Sequence, residues 1–247
     1  MTRVLVVGDL VTDVVVTLPG PVNPGSDTEA GVQLRGGGAG ANTACWLAEC
    51  GVDAALVARV GGDEIGRARN LELLGAGVDA VVAIDHDART GTIVVLVGPD
   101  GERTMLTDRG ASALLSPRDV ECRRYEPGGH LHLSGYTLFD YSSHAAGRHA
   151  LDLAWAAGMS VSVDASSAAP LRRAGAAAFV SWTRGADMLL ANAEEAEILT
   201  GHAEPAAAAA ALATEYPIAV VKAGAAGAIW AGAGRVVHCP ARPAAVV

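Results

Sequence analysis

The residues that point most directly to chemistry lie between Arg35 and Asn42, where the sequence reads RGGGAGAN. The glycines at positions 36, 37, 38 and 40 leave a short length of main chain almost without side chains, just before an alanine-rich helical segment. Glycine is typical of places where another group must approach the backbone closely. We call residues 36–40 the glycine strip and ask which group that is.

Three interpretations of the glycine strip follow from the residues alone. Gly36, Gly38 and Ala41 fit the GxGxxA dinucleotide fingerprint, but that motif follows a buried first strand and the preceding residues here, TEAGVQLR, are polar. A phosphate-binding P-loop is excluded, because the only lysine, Lys222, is followed by Ala223 where Ser or Thr is required. A flexible connector is the interpretation that assigns no ligand.

Other reactive side chains form weaker patterns. His130 and His132 alternate on one predicted strand, but no third metal ligand stands at a suitable spacing, so we favour a contact in the core or in a lid over the site. The GxSxG elbow of serine hydrolases is missing from the sequence. The cysteines lack CxxC spacing and are expected to be buried free thiols; they are Cys45, Cys50, Cys122 and Cys239.

Composition narrows the classes of partner. The net charge is −9, from 18 basic and 27 acidic residues, and the basic residues are scattered, which argues against binding to nucleic acid. Hydrophobic residues make up 51% of the chain, as in globular proteins. No apolar run is long enough to cross a bilayer and the first residues do not resemble a signal peptide. We therefore expect a soluble, cytoplasmic protein without a membrane partner.

The elements that must position these residues alternate along the chain. Continuous apolar runs predict buried strands and amphipathic runs predict helices, which together indicate a mostly parallel α/β sheet with ligands at the carboxyl ends of its strands. Two turn-rich segments, PGPVNPGSD and the one around Pro99-Asp100-Gly101, predict hairpins outside this sheet. The predicted strands are 4–7, 54–60, 80–84, 131–133, 160–163, 188–190 and 218–221, and the predicted helices include 41–50, 63–74 (with Asp63 as N-cap), 144–157 and 194–200.

A resemblance to a known family extends these predictions. The run GGAGAN at 37–42, with Ala44 and RVGGDEIG downstream, resembles the amino-terminal signature of the ribokinase-like (PfkB) carbohydrate kinase family. It extends over essentially the whole chain and implies one α/β domain at 1–247, a three-layer sandwich with a mostly parallel central sheet. The hairpin segments at about 11–35 and 88–108 resemble the family's β lid, which closes over the sugar and often forms the dimer contact.

The resemblance also assigns a substrate half of the site. Asp13 matches the family's acidic residue that accepts hydrogen bonds from sugar hydroxyls, and Gly37 and Gly38 match the glycines that let the backbone lie against them. Asn42 would add hydrogen bonds to the same sugar or nucleoside. Arg109, after the second hairpin, can reach a substrate oxygen, although a solvated arginine fits the sequence equally well.

A nucleotide half is implied in the same way, with ATP and Mg²⁺ as cofactors and a monovalent cation as a further family possibility. Asn192 and Glu195 fit the family's NxxE, in which the Glu holds Mg²⁺ through water and the Asn lies near the phosphates. Without the family, Asn-x-x-Glu is an ordinary helix cap. In the segment KAGAAG, Lys222 either contacts a phosphate or is structural. The resemblance implies that Gly224 and Gly227 let adenine and ribose lie close to the backbone.

Two departures from the family limit these expectations. Val11 and the segment LSGY at 133–136 stand where ribokinase has Asn and Glu, which puts ribose in doubt as the substrate. The carboxyl-terminal signature DTxGAGD, whose last Asp is the family's catalytic base, is absent. We therefore expect an incomplete domain, with the base beyond Val247, no turnover and poor solubility or self-association. The alternatives are a non-catalytic sugar-binding protein and, less favoured, an NAD-binding oxidoreductase.

Overall fold

The computed structural model describes residues 3–121 and 125–242. Its strands are β1 (Val4–Val7), β2 (Val11–Thr17), β3 (Gly31–Gly37), β4 (Ala54–Gly61), β5 (Asp79–Asp85), β6 (Thr90–Val97), β7 (Arg103–Gly110), β8 (His130–Ser134), β9 (Ser160–Asp164), β10 (Met188–Asn192), β11 (Ile218–Lys222), β12 (Ala228–Gly232) and β13 (Arg235–Cys239). Its helices are α1 (Ala39–Glu49), α2 (Glu64–Gly75), α3 (Pro117–Val120), α4 (Tyr136–Phe139), α5 (Tyr141–Ala156), α6 (Ala168–Ala174), α7 (Ala176–Thr183), α8 (Ala193–Thr200) and α9 (Pro205–Leu212).

The central sheet has nine strands in the order β13-β12-β11-β10-β9-β8-β1-β4-β5. The strands from β11 to β5 are parallel to their neighbours, and β12 and β13 continue the sheet antiparallel. The first strand follows from sequence directly, because four consecutive apolar residues suit a strand covered on both faces. The mostly parallel sheet expected from the alternating pattern is confirmed.

Helices pack on both faces of the central sheet, which gives three layers. On one face the helices α3 to α9 enclose the larger core, in which Leu5, Leu131 and Leu189 contact helical side chains such as Leu151 and Phe179. On the other face α1 and α2 cover β1, β4 and β5. The second face is only half-buried farther along the sheet, at Leu190, Val220 and Trp230.

The two predicted hairpins join into one four-stranded sheet in the order β3-β2-β6-β7, which we call the lid sheet. The pairs β2–β3 and β6–β7 are antiparallel, whereas β2 and β6 run parallel, with Asp13 opposite Ile93. The second hairpin turns where Pro99-Asp100-Gly101 predicts it, and Gly101 adopts a left-handed φ of 81°. The lid sheet presents one face to the carboxyl-terminal end of β1.

Local features of the fold match the predictions from sequence only in part. Asp63 caps α2 as predicted, since its carboxylate accepts from the Gly66 N–H at 2.8 Å. Helices α6 and α7 were not predicted. The expectation of buried thiols is wrong for Cys50 and Cys239, which are exposed, while Cys45 is half-buried and Cys122 lies outside the described residues. Within 3–121 and 125–242, no helix is both long and apolar enough to span a membrane.

Candidate functional site

The carboxyl ends of the parallel strands bring together residues that are far apart in sequence. Ser134 at the end of β8 is in register with Asp164 at the end of β9, and Asn192 at the end of β10 is in register with Lys222 on β11. Asp9 follows β1 at the same edge. Ligands of parallel α/β sheets bind at this edge, so a ligand site is expected here.

Asp9 connects β1 to the glycine strip. Its buried carboxylate accepts hydrogen bonds from the N–H groups of Ala39 at 3.1 Å and Gly40 at 3.4 Å, at the start of α1, where the helix dipole favours a negative charge. Ser134 Oγ also donates to it, at 3.4 Å. Asp9 was not predicted from sequence, although its position directly after a buried strand was a usable signal.

The strip must be glycine because other atoms of the protein lie where a Cβ would be. A Cβ on Gly37 would overlap the Asp13 carboxylate, and a Cβ on Gly38 would lie 2.5 Å from the Asp9 carbonyl oxygen. Gly38 also has a φ of 104°, which disfavours any other residue. A Cβ on Gly40 would lie 2.7 Å from the Gly8 Cα. The strip therefore lets two aspartates and the end of β1 approach the start of α1.

A cavity of about 240 Å³ lies between the glycine strip and the lid sheet. Four of the five residues predicted for substrate binding line it; Gly37 does not, and instead abuts Asp13. The wall supplied by the lid sheet is mainly apolar. The lining residues are Asp9, Val11, Asp13, Gly38, Ala39, Asn42, Ile93, Val95, Met105, Thr107, Arg109, Tyr136 and Ser166.

Asp13 is held in an environment that disfavours its charge. Burial, and then the nearby negative charge of Asp9, raise the pKa of the Asp13 carboxyl above its ordinary value, and Arg69 partly opposes this. A carboxylate of this kind is stabilised when hydroxyl groups donate to it. The cavity thus has an acceptor that gains from a ligand with hydroxyl groups.

Arg109 lies at another part of the same cavity. Its Nη1 donates to the Tyr136 carbonyl at 3.0 Å and to the Asp140 carboxylate, and its guanidinium lies 5.2 Å from the centre of the Tyr136 ring. Its Nη2 is buried and has no hydrogen-bond partner among the described residues. The side chain is only 16% exposed, so the solvated alternative is wrong, and a donor remains for a ligand oxygen.

Asn192 and Glu195 form the capping arrangement that the sequence allowed. The Glu195 N–H donates to Asn192 Oδ1, and both Glu195 oxygens accept from Asn192, each at 2.8 Å. Glu195 is 2% exposed, and burial is the largest cause that raises the pKa of its carboxyl. The arrangement fixes this carboxylate at the strand edge.

Lys222 and the following glycines lie at the same edge. Lys222 Nζ forms an ion pair with Asp164 Oδ2 at 2.8 Å, and its side chain is half-exposed. Gly224 has a left-handed φ of 56° and faces open space, whereas a Cβ on Gly227 would lie 2.6 Å from the Ala241 nitrogen. Gly224 therefore leaves room for a ligand, while Gly227 makes room for the chain itself.

Ser166 links the cavity to this edge and was missed from sequence. It has a left-handed φ of 68°, unusual for a residue with a Cβ. Its Oγ accepts from the Tyr136 N–H at 3.2 Å and lies 3.3 Å from Ser134 Oγ, while its N–H donates to Asp164 Oδ1 at 2.7 Å. A polar chain thus runs from Asp9 to Lys222. Nothing local in the sequence signals the role of Ser166 or Tyr136.

Other reactive side chains have structural partners. The Asp164 carboxylate accepts from the Ser166 N–H and pairs with Lys222, and the Asp140 carboxylate pairs with Arg109. His130 and His132 hydrogen-bond serines on β9, and burial lowers the pKa of His132 to about 4. Within the described part of the chain, no group of three or more His, Cys, Asp or Glu residues is placed to hold a metal by itself.

Comparisons with known proteins match this chain to a family model and to several relatives. A family model described as "pfkB family carbohydrate kinase" matches residues 1–247. The chain is 34% identical over 199 residues to an ATP-dependent ribose-1-phosphate kinase of Halopiger xanaduensis, covering 79% of this chain and 63% of that protein. It is 30% identical over 253 residues to a fructokinase of Klebsiella pneumoniae, covering 99% and 78% respectively.

Two solved structures share the fold. An adenosine kinase from Sinorhizobium meliloti superposes with a TM-score of 0.88 at 23% identity, covering 100% of this chain and 82% of that one. A fructokinase from Vibrio cholerae O395, solved with fructose, ADP and potassium ion, gives a TM-score of 0.82 at 26% identity, covering 99% and 77%. The chain spans 63% of the length of the Halopiger relative.

Proposed function

We propose, since the chain belongs to the pfkB family of carbohydrate kinases, that it takes part in phosphorylation of a hydroxyl group on a sugar or nucleoside by ATP. The observation that carries this is the cavity between the glycine strip and the lid sheet. It holds the Asp13 carboxylate and Arg109, whose Nη2 has no hydrogen-bond partner in the described part of the chain. Ser166 connects it to the strand edge that carries Lys222. With ATP as the donor, a cytoplasmic location is part of the same proposal.

The substrate is proposed to bind through groups at opposite parts of the cavity. Asp13 accepts hydrogen bonds from hydroxyl groups, and the Asn42 amide, which is exposed beside it, can donate or accept. Arg109 donates from its free Nη2 to a substrate oxygen. The apolar side chains Ile93 and Val95 of the lid sheet keep water from this space. Water exclusion protects a phosphoryl donor from hydrolysis.

The nucleotide is proposed to lie along the ends of β9, β10 and β11. The open surface at Gly224 suits an adenosine, and Lys222 can turn from Asp164 toward a phosphate. The carboxylates of the buried Glu195 and the partly exposed Asp164 give oxygens that suit a Mg²⁺ which keeps most of its waters. When bound, ATP with Mg²⁺ supplies the phosphoryl group and neutralises its charge. A monovalent cation stays a family-level proposal.

The transfer step also requires a group that accepts the hydroxyl proton. Asp140 is paired with Arg109, and in the proposed complex Asp164 faces Mg²⁺ and Lys222. We therefore propose that these 247 residues bind substrate and nucleotide without sustained turnover. The second candidate is a sugar-binding protein of the same fold, which the cavity lined by Asp13, Asn42 and Arg109 favours.

Calorimetry and a coupled kinase assay test the proposal together. The protein is titrated with pentoses, hexoses and nucleosides, each with and without ADP and Mg²⁺, and the same panel is assayed with ATP. We expect binding of at least one sugar or nucleoside and of ADP, with no turnover. Robust turnover would show that a base exists among these residues, and binding of sugar without any ADP would favour the non-catalytic candidate.

A homodimer through the lid sheet belongs to the same proposal. The lid face opposite the cavity exposes Val32, Leu34 and Leu106, which are 62%, 71% and 56% exposed. An apolar sheet face of this kind is a surface that a second copy can cover, because identical faces match about a twofold axis.

The dimer is tested by sedimentation of a charged variant. Leu34→Glu is expected to shift the protein toward the monomer, because a second copy would have to bury the charge. Val236→Glu, at an exposed position on β13 at the opposite edge of the central sheet from β5, is the matched control and should leave the mass unchanged. A monomer in the unmodified protein, or equal effects of both variants, would contradict a lid-mediated dimer.

A further inference from the structure

A second cavity, of about 210 Å³, lies between β3 and the helices α1 and α2. It borders the glycine strip and is not used by the function proposed above. Asn42 borders both this cavity and the substrate cavity. Its lining residues are Leu10, Gly36, Gly37, Ala41, Asn42, Cys45, Arg69, Glu72 and Leu73.

Arg69 is the unusual residue of this cavity. Its side chain is buried, with the residue 8% exposed, and its Nη2 donates to Glu72 Oε1 at 2.5 Å. Its Nε and Nη1 are buried and have no hydrogen-bond partner among the described residues. Donors on a buried cation are costly to leave unpaired. Arg69 therefore has capacity for an acceptor that residues 3–121 and 125–242 do not supply.

Glu72 shows what kind of group Arg69 can hold. Its carboxylate lies against Gly36, where a Cβ would be 2.6 Å from Glu72 Oε2 and 3.9 Å from Arg69 Nη1. The Glu72 side chain is 53% exposed, so it can turn into solvent and yield its place. The space beside Gly36 thus accommodates an oxyanion in contact with a guanidinium.

The negative charge of Asp13 is on the other side of the strand. The Cβ direction of Gly37 points at Asp13 and that of Gly36 points at Glu72 and Arg69. Neighbouring residues of a strand face opposite sides, so the main chain of β3 separates the acidic substrate cavity from the Arg69 cavity. An anion beside Arg69 is therefore not in the same cavity as Asp13.

We propose that Arg69 and the adjoining face of Gly36 form an accessory subsite for an oxyanion carried by the substrate, a phosphate or carboxylate substituent. A substrate whose hydroxyl groups face Asp13 would pass its substituent beside Asn42 to reach Arg69. The proposal rests on the function proposed above and names the class of substrate for that site as an anionic sugar derivative.

Matched ligand pairs test the subsite by calorimetry. The pairs are ribose with ribose 1-phosphate and fructose with fructose 1-phosphate, and inorganic phosphate is titrated alone. The proteins are the unmodified chain, Arg69→Gln, Glu72→Gln and the control Arg67→Gln, an exposed arginine on the same helix whose Nη1 contacts only the Gly62 carbonyl.

We expect a phosphorylated sugar to bind about tenfold more tightly than its neutral partner, since hydrogen bonds to a charged group carry that much affinity. Arg69→Gln should remove this difference. Because the charge of Arg69 also favours the ionised form of Asp13, the effect is measured as the ratio between the affinities for the phosphorylated and the neutral sugar in the same variant. Glu72→Gln should have the opposite effect: it should increase the affinity for the phosphorylated sugar, because a competing carboxylate is removed. Arg67→Gln should change neither. If Arg69→Gln does not fold, the affinity of Glu72→Gln for the phosphorylated sugar still tests the subsite.

The contrary outcomes are distinct. Neutral sugars that bind without any gain from phosphate, or with a gain that Arg69→Gln and Glu72→Gln leave intact, overturn the subsite and leave the proposed function standing. Inorganic phosphate that binds through Arg69 while the sugar phosphates gain nothing shows a free-anion site and also overturns it. If no sugar of either kind binds, the subsite and the proposed function fall together.

Discussion

At the substrate cavity the charged groups face the cavity, whereas at the ends of β9, β10 and β11 they face one another. Asp13 has a raised pKa and Arg109 has a buried Nη2 without a partner among the described residues. At the other half, Glu195 accepts from Asn192 at 2.8 Å and Lys222 is paired with Asp164 at 2.8 Å.

The difference concerns the energy that each half has available for binding. A buried group that lacks a partner gains a hydrogen bond when a ligand arrives, without first breaking another. A paired, half-exposed group such as Lys222 must exchange one partner for another, and this exchange contributes little binding free energy. If the two halves bind substrate and nucleotide as proposed, the substrate half is the one arranged to bind strongly, and the nucleotide half binds weakly or rearranges.

The largest expected effect is that of Asp13→Asn on sugar or nucleoside binding. Replacing an ionised acceptor with an amide should weaken the affinity about 100-fold, since charged hydrogen bonds are the strong ones. Calorimetry with the best ligand measures it. Asp27→Asn, in the exposed turn between β2 and β3, is the control. Equal affinities for Asp13→Asn and the unmodified protein would remove Asp13 from the site.

Next in size is a stability effect at the glycine strip. Gly38→Ala should destabilise the fold by about 3 kcal/mol, because a left-handed φ is strained for Ala and the added Cβ meets the Asp9 carbonyl. Gly25→Ala has a positive φ but open space, and should cost about 1 kcal/mol. Urea unfolding compares them. Equal losses of unfolding free energy in the two variants would mean that the Asp9 carbonyl does not lie close to Gly38.

A smaller effect is expected from pH. The pKa of Asp13 is raised above its ordinary 3.8 in the folded protein, so the proton is lost only at a higher pH than in the unfolded chain. Ligand affinity should therefore fall as the pH is lowered through this raised pKa, and stability contributed by protonated Asp13 should be lost as the pH rises through it. Titrations of the unmodified protein and Asp13→Asn at several pH values measure both slopes. A slope that survives in Asp13→Asn would assign the titration to another group.

The smallest effect is expected for Lys222→Met. Because the pair with Asp164 is half-exposed, we expect a loss of about threefold in ADP affinity and almost no change in sugar affinity. Calorimetry with each ligand separates the two. A large loss of sugar affinity would show that the two halves are coupled through Ser166 and are not independent.

Much of the fold could be predicted from the sequence because its signals are local. The apolar run Val4–Val7 and the turn at Pro99-Asp100-Gly101 depend on neighbouring residues alone, and both appear where they were predicted. Helices α6 and α7 were missed, since their small and aromatic residues show no clear apolar stripe. The site was predicted less completely, because its parts come from several strands.

The sequence by itself determined that α/β elements alternate, that two hairpins stand apart from the main sheet and that a side-chain-free strip precedes α1. Only the tertiary structure decided why the strip is glycine: Asp9 and Asp13 approach it from β1 and β2, so the reason lies in atoms outside the strip. It likewise placed Ser166, Tyr136 and Arg69 around the cavities. Contacts between residues far apart in sequence depend on strand order and register, which no local pattern specifies.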